Sequence, residues 1–275
     1  MPELPEVETI VRDLREKIVG YRIDKAEVAE GSVIKNSDGE WFKSALTGEK
    51  IADIKRRGKY LLFLLHSGKI LVVHLRMTGQ LVYSEPGSLV QKHLCLNLLL
   101  SAAEKRLELR YYDIRKFGFI YLLLPEERLP GLEKLGPEPF AADFSSAYLA
   151  QRLAKRKQKI KALLLDQTVI AGIGNIYADE ILFRAGVRPD RLSSSLSSEE
   201  TERLVYWTPL VLREAIKHRG TTISDYRDGL GKKGEFQNFL RVYGRAGEEC
   251  PVCRTILLKD KIAGRTSTFC PQCQK

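Results

Sequence analysis

Leu135-Gly136-Pro137-Glu138-Pro139-Phe140 (LGPEPF) divides the chain into two kinds of pattern. Each proline removes a backbone donor and restricts the residue before it, so the stretch suits neither a helix interior nor a central strand. Upstream, from about Arg22 to Leu124, short apolar, β-branched and aromatic runs alternate with Gly, Ser and Pro turns: RIDKAEVA (22–29), YLLFLLH (60–66), KILVVHLRM (69–77), HLCLNLLL (93–100) and RLELRYYDI (106–114). Runs of this kind predict an antiparallel sandwich or barrel. Downstream, Asp143 is placed to cap a helical segment running to about Asp166, and Ser197 with Glu200 makes a capping box for another. Strands followed by helices predict an α+β chain.

Farther out lie two distinctive ends. Val7, Ile10, Val11, Leu14 and Ile18 recur at helical spacing, with Pro5 in the first turn and Gly20 placed to end a leading helix. After Tyr243, Gly244 and Gly247 open a cysteine-rich tail in which Cys250, Cys253, Cys270 and Cys273 form two C-x2-C knuckles. Four thiolates so spaced suit one tetrahedral, structural Zn2+ with no open coordination position. A pair of disulfides is the rival, but Met1 to Gly20 lacks the basic-then-apolar order of a signal peptide. Cys95 stands alone in an apolar strand and reads as a small core residue. The expected divisions are residues 1–138, 139–245 and 246–275, and no organic cofactor is expected.

The 275 residues carry a formal charge of +10. Lys55-Arg56-Arg57-Gly58-Lys59 is one dense cluster, and Arg152 to Lys161 holds six cations and no acid. Either could be a solvated face. Together, without a compensating acidic block, they favour a polyanion, with nucleic acid ahead of membrane. No apolar run approaches the roughly 18 residues of a membrane helix, so the cytoplasm is the expected location. In DQTVIAGIGNIYADEILF (166–183), Gly172 and Gly174 precede Asn175 and a helix. Exposed amides there favour an anion, with Asn175 as cap and phosphate donor; capping alone would explain the same residues. Arg265 lies between the knuckles, where a hairpin tip could push a cation toward a phosphate or leave it solvated.

The first residues, MPELPEVE, admit a chemical reading. Removal of Met1 would expose Pro2 as a secondary amine with an α-amino pKa near about 8. Condensed with a sugar C1′, such an amine gives an iminium that is cationic at every pH, an electron sink that acidifies C2′. Glu3 could donate a proton to the ring oxygen as the sugar opens. Against this stands a plain helix start, where prolines are common and acids complement the dipole.

The combination PELPEVE, KRRGKYLL, HLRMTG, YDIRKFG, GPEP, QTVIAGIGNIYADE, VYGR and GRTSTFCPQCQ, in that order over essentially the whole chain, resembles the formamidopyrimidine-DNA glycosylase family. The resemblance implies a β-sandwich with a leading helix, a helix-two-turn-helix domain and a zinc finger built on a β-hairpin. It implies a bifunctional repair enzyme that excises oxidised purines, chiefly 8-oxoguanine and formamidopyrimidines, then nicks the abasic strand by β,δ-elimination. The expected partner is damaged double-stranded DNA, bound by a monomer that is cytoplasmic and nucleoid-associated. Pro2 becomes the Schiff-base nucleophile, Glu3 the proton donor, Lys59 a lysine assisting elimination, and Arg265 the zinc-finger arginine on the phosphates at the lesion. Asn175 matches the phosphate-binding asparagine, and His74, His93 and Arg156 fall at positions resembling DNA contacts. Met77, Arg115 and Phe117 match three residues that fill the void left by an everted nucleotide, and DYRDGLGKKGEF (225–236) resembles a mobile loop over the flipped base. One departure is Cys95, where the family commonly has a second histidine after His93. The related endonuclease VIII typically begins PEGPE, so Leu4 favours the purine branch; a zinc-ribbon DNA-binding protein without catalysis would leave Pro2, Glu3 and Lys59 idle.

Overall fold

The computed structural model describes residues 1–154 and 156–275; Lys155, one of the six cations of the basic stretch, lies outside the described residues. In chain order the elements are α1 (Leu4–Ile18), β1 (Arg22–Val28), α2 (Gly39–Leu46), β2 (Ile51–Arg57), β3 (Tyr60–Leu65), β4 (Ile70–His74), β5 (Gly79–Ser84), β6 (Leu94–Ala102), β7 (Lys105–Asp113), β8 (Phe119–Leu123), α3 (Pro130–Glu133), α4 (Ser146–Ala154), α5 (Ile160–Leu165), α6 (Asn175–Ala185), α7 (Ser198–Lys217), β9 (Leu258–Ile262) and β10 (Arg265–Phe269). They fall into two compact units, one of residues 1–133 and 218–237, the other of residues 134–217 and 238–275.

In the first unit, two four-stranded antiparallel sheets, β1-β6-β7-β5 and β2-β3-β4-β8, form the sandwich that the apolar runs predict. The β3 residues alternate in burial, as period-two patterning requires. Val7, Ile10 and Leu14 of α1 share one buried cluster with Leu61 and Phe63 of β3 and Leu98 and Leu109 of the other sheet. Each such side chain contributes about 1.5–3 kcal/mol by leaving water. Helix α1 begins at Leu4 with Pro5 in its first turn, and the chain after it turns at Gly20, φ +87°.

Residues 218–237 belong to this unit, although the sequence reading counts them with the helical region. Glu6 Oε1 accepts the Thr221 amide at 2.7 Å. Arg219 donates to Asp13 at 2.6 Å and to the fully buried Asp228. Gln80 donates to the Asp225 carbonyl at 2.6 Å, and the Tyr83 amide to Gly229 at 3.2 Å. The segment read as a mobile loop is thus anchored along much of its length.

The second unit is helical with a terminal hairpin. The expected helix from Asp143 to Asp166 is instead two, and its cap is Ser145, whose Oγ accepts the Tyr148 amide at 3.2 Å. The break has a long-range cause: Ser193 N donates to Gln158 O at 2.7 Å and Ile160 N to Arg191 O at 2.8 Å, which holds Lys159 extended just before α5. The Ser197/Glu200 capping box is present in both directions, at 2.9 and 3.2 Å. Strands β9 and β10 are joined by Ala263 and Gly264, both at positive φ as a type I′ turn demands.

Candidate active site

Two ion pairs set the register of α1 on the sheet. Glu8 pairs with Arg56 at 2.8 Å and Arg15 with Asp53 at 2.7 Å, so the helix runs antiparallel to β2. Seven helical residues and three strand residues each span about 10 Å, so the two rises match. Continued backward by the same measure, the first helical residue, Leu4, comes level with the end of β2, where the Gly58–Lys59 turn leads into β3. Pro2, Glu3 and Lys59 are all buried, the last two at 2% and 7% exposure. Gly58 takes φ +54° to make this two-residue turn. The Glu3 amide donates to Glu6 Oε2 at 2.7 Å, so Glu6 ties the start of α1 to Thr221 through its two oxygens.

His74 ends β4, edge-on to Tyr60 and stacked on Phe119. Burial, then the positive charges of Arg76 and Lys59, push its pKa down to about 3. Its Nδ1 accepts the Arg76 amide at 3.0 Å, so the single proton of the neutral ring sits on Nε2, a hydrogen-bond donor. His93, exposed and at φ +69°, precedes the buried Cys95, which packs in the core as the sequence predicts.

Met77, Arg115 and Phe117 form one exposed group. The Arg115 guanidinium lies 4.5 Å from the Phe117 ring centroid and donates to Met77 Sδ at 3.4 Å. Met77 is 39% and Phe117 54% exposed, so neither is core packing. The residue before each apolar tip, Arg76 and Lys116, has positive φ, at +51° and +53°. Such backbone is uncommon for non-glycine residues and turns the next side chain outward.

In the second unit, Gly174 rather than Asn175 is the N-cap of α6; Asn175 Nδ2 donates to the Thr266 carbonyl at 3.2 Å. The loop before it is held by Gln167, which accepts the Gly172 amide and donates to the Ile173 carbonyl. Arg265 is exposed at the start of β10. Arg156 pairs with Asp166, a carboxyl that burial would raise but that hydrogen bonds from Arg156 and Thr168 hold below its usual range.

Lys161 is a correction: read as one of a basic run, it is fully buried, paired with Asp179 at 2.6 Å, and donates to Ser267 Oγ at 2.7 Å. Asp179 in turn accepts the Thr268 amide at 3.0 Å, so the pair fastens β10 to α5 and α6. The four tail cysteines gather with their sulfurs within 4.8 Å of one another, Cys250–Cys273 at 3.8 Å and Cys253–Cys270 at 3.4 Å. A tetrahedral Zn2+ with bonds of about 2.3 Å puts its sulfurs about 3.8 Å apart, so the cluster fits zinc with slight adjustment.

The formamidopyrimidine-DNA glycosylase N-terminal domain model matches residues 1–120, the family's H2TH domain model residues 135–227, and the zinc finger found in FPG and IleRS residues 247–275. A formamidopyrimidine-DNA glycosylase of Desulfitobacterium hafniense is 48% identical, and one of Heliobacterium modesticaldum 46%, each over the full length of both chains. The chain belongs to the formamidopyrimidine-DNA glycosylase family. Among solved structures of that family, a Lactococcus lactis mutant bound to Fapy-dG-containing DNA matches with a TM-score of 0.92 at 38% identity, covering all of both chains. A complex with carbocyclic 8-oxo-G-containing DNA matches at 0.91 and 39%, again over both full chains.

Several residues of this glycosylase-family chain escape a reading by residue type. Glu6 looks like any acid of a first helical turn. Glu180, fully buried, accepts the amides of Arg241, Val242 and Tyr243 near 3.0 Å, binding two of the motifs that carry the resemblance to each other. Asp113 sits unremarked inside YDIRKFG. For Glu180 and Asp113 the sequence signal is an acid inside a motif, QTVIAGIGNIYADE and YDIRKFG respectively.

Proposed function

We propose that this chain is a bifunctional DNA glycosylase and abasic-site lyase that removes 8-oxoguanine and formamidopyrimidines from duplex DNA. The observation that carries the reading is the register of α1 on β2, which runs the start of the helix toward the turn that holds Lys59. Once Met1, 46% exposed, is removed, the Pro2 nitrogen attacks C1′: the N–C1′ bond forms, the glycosidic bond breaks, and the base leaves carrying a proton. Glu3 protonates the ring oxygen, the sugar opens, and the iminium draws the electrons of the C2′–H bond, whose proton passes to water, as the C3′–O bond breaks and the 3′ phosphate departs. Lys59 assists beside the phosphates, and a second elimination releases the 5′ phosphate. His74, His93, Arg156, Asn175 and Arg265 hold the backbone, while Met77, Arg115 and Phe117 fill the space left by the everted nucleotide. Cys250, Cys253, Cys270 and Cys273 hold one Zn2+, which stiffens the hairpin under Arg265; no organic cofactor enters the scheme. The enzyme acts as a cytoplasmic, nucleoid-associated monomer.

The Fapy-dG and 8-oxo-G complexes of the matched structures support damaged DNA as substrate. A related complex holds DNA with an oxidised pyrimidine, so lesion choice is tested by direct comparison of 8-oxoguanine, formamidopyrimidine and thymine glycol duplexes. Borohydride reduction on abasic or 8-oxoguanine DNA should trap the chain through Pro2, located by peptide mapping. Trapping only through an internal lysine, or full activity in protein that retains Met1, would defeat the mechanism.

A further inference from the structure

Asp113, at the end of β7, is fully buried and accepts four hydrogen bonds. Its Oδ1 takes Thr78 Oγ1 at 2.5 Å and the Arg115 amide at 3.2 Å; its Oδ2 takes the Gly118 amide at 2.7 Å and the Tyr111 hydroxyl at 3.2 Å. The Arg115 amide also donates to Thr78 Oγ1 at 3.2 Å. Two loops converge on this one carboxylate: the turn of Thr78, which follows Met77, and the loop 114–118, which carries Arg115 and Phe117. The junction is tight, because a Cβ on Gly118 would stand 1.8 Å from the Tyr111 hydroxyl oxygen and 2.9 Å from Asp113 Oδ2, and one on Gly79 2.8 Å from the same hydroxyl. On its outer side Lys116 is pinned by Glu30, whose carboxyl that bond holds down at about 2.

We infer that Asp113, with Thr78 and Tyr111, is a positioning residue for base eversion. It touches no substrate; it fixes the spacing of two loops so that Met77, Arg115 and Phe117 enter the duplex as one wedge. A wedge must be rigid to offset unstacking, and a loop free to shift spends that energy on its own ordering. This inference rests on the proposed void-filling role of the three exposed residues.

Asp113→Asn keeps the shape but turns an amide donor toward groups that themselves donate, and Thr78→Val removes one hydroxyl that Thr78→Ser restores. Single-turnover excision of 8-oxoguanine from duplex should fall about tenfold or more in Asp113→Asn and severalfold in Thr78→Val, while incision at a preformed abasic site stays within about twofold. Thr78→Ser should recover, and placing the lesion in an unpaired bulge, where eversion costs less, should narrow the gap. Thermal melts accompany each variant, and if Asp113→Asn unfolds, the Thr78 pair decides. Phe117→Ala is the reference. If it depresses both reactions equally, the wedge reading itself fails. If it separates them while folded Thr78→Val and Asp113→Asn lose both reactions alike, or neither, Asp113 is only structural and the inference falls.

Discussion

His74 is a buried imidazole that the fold keeps neutral. In an unfolded chain its imidazole binds a proton near 6.5; in the folded protein it does so only near 3. Between those values the unfolded state binds more protons, so stability contributed by His74 is present above pH 6.5 and is lost as pH falls toward 3. His74→Gln should therefore flatten the acid limb of the stability curve, gaining on wild type by about 3 kcal/mol at pH 4. Denaturant unfolding of both proteins from pH 7 to 4 measures this; parallel curves would show that the ring titrates as in water. The sequence placed His74 among DNA contacts but could not give its tautomer, which depends on the Arg76 amide at positive φ. Pro2 and Glu3 were legible as residues, whereas Glu6 was not, because its partner Thr221 lies 215 positions away.

At the scale of elements, the hairpin β9–β10 and the N-terminus of α6 work as a pair. Asn175 donates to Thr266, the residue next to Arg265, and the buried Lys161–Asp179 pair fastens the same strand. A buried pair of this kind is weak evidence for net stability, but loss of one partner strands a charge at a cost of about 3–5 kcal/mol, which suits it to fixing register. The two phosphate candidates should differ in salt dependence. Arg265→Ala should flatten the slope of log K against log salt by about 0.9, one neutralised phosphate, and Asn175→Ala should weaken binding at nearly constant slope. Equal slopes for wild type and Arg265→Ala would remove the arginine from the backbone. Where elements were misread, the cause is local irregularity or distant pairing. Strand β2 hides because a bulge between Ile51 and Asp53 breaks its alternation, and α4 and α5 merge in sequence because residues 191–193 that separate them are far along the chain.

For the whole molecule, the two-unit arrangement predicts how zinc matters. Cys250, Cys270, Val242 and Leu257 share a small buried cluster with Phe183 of α6, too few side chains to hold the tail by burial alone. Structural zinc contributes on the order of 10 kcal/mol or more in finger peptides. Chelation or Cys253→Ser should abolish DNA binding and lower the melting of the second unit while the sandwich transition stays in place, as followed by calorimetry with metal analysis. Active, metal-free protein would refute this. The α+β order, the leading helix, the sandwich and the cysteine tail were all legible, since each rests on short-range periodicity or spacing. The return of residues 218–237 to the first unit was not, because glycine-rich loop sequence carries no address.

That return has a consequence for synthesis. Glu6 and Asp13 emerge from the ribosome first, yet Thr221 and Gly229, whose amides they accept, follow more than 200 residues later. At about 5–20 residues per second the interval is on the order of tens of seconds. Throughout it the start of α1 lacks its last tether, and the nascent end stays open to a peptidase whose removal of Met1 the proposed mechanism requires.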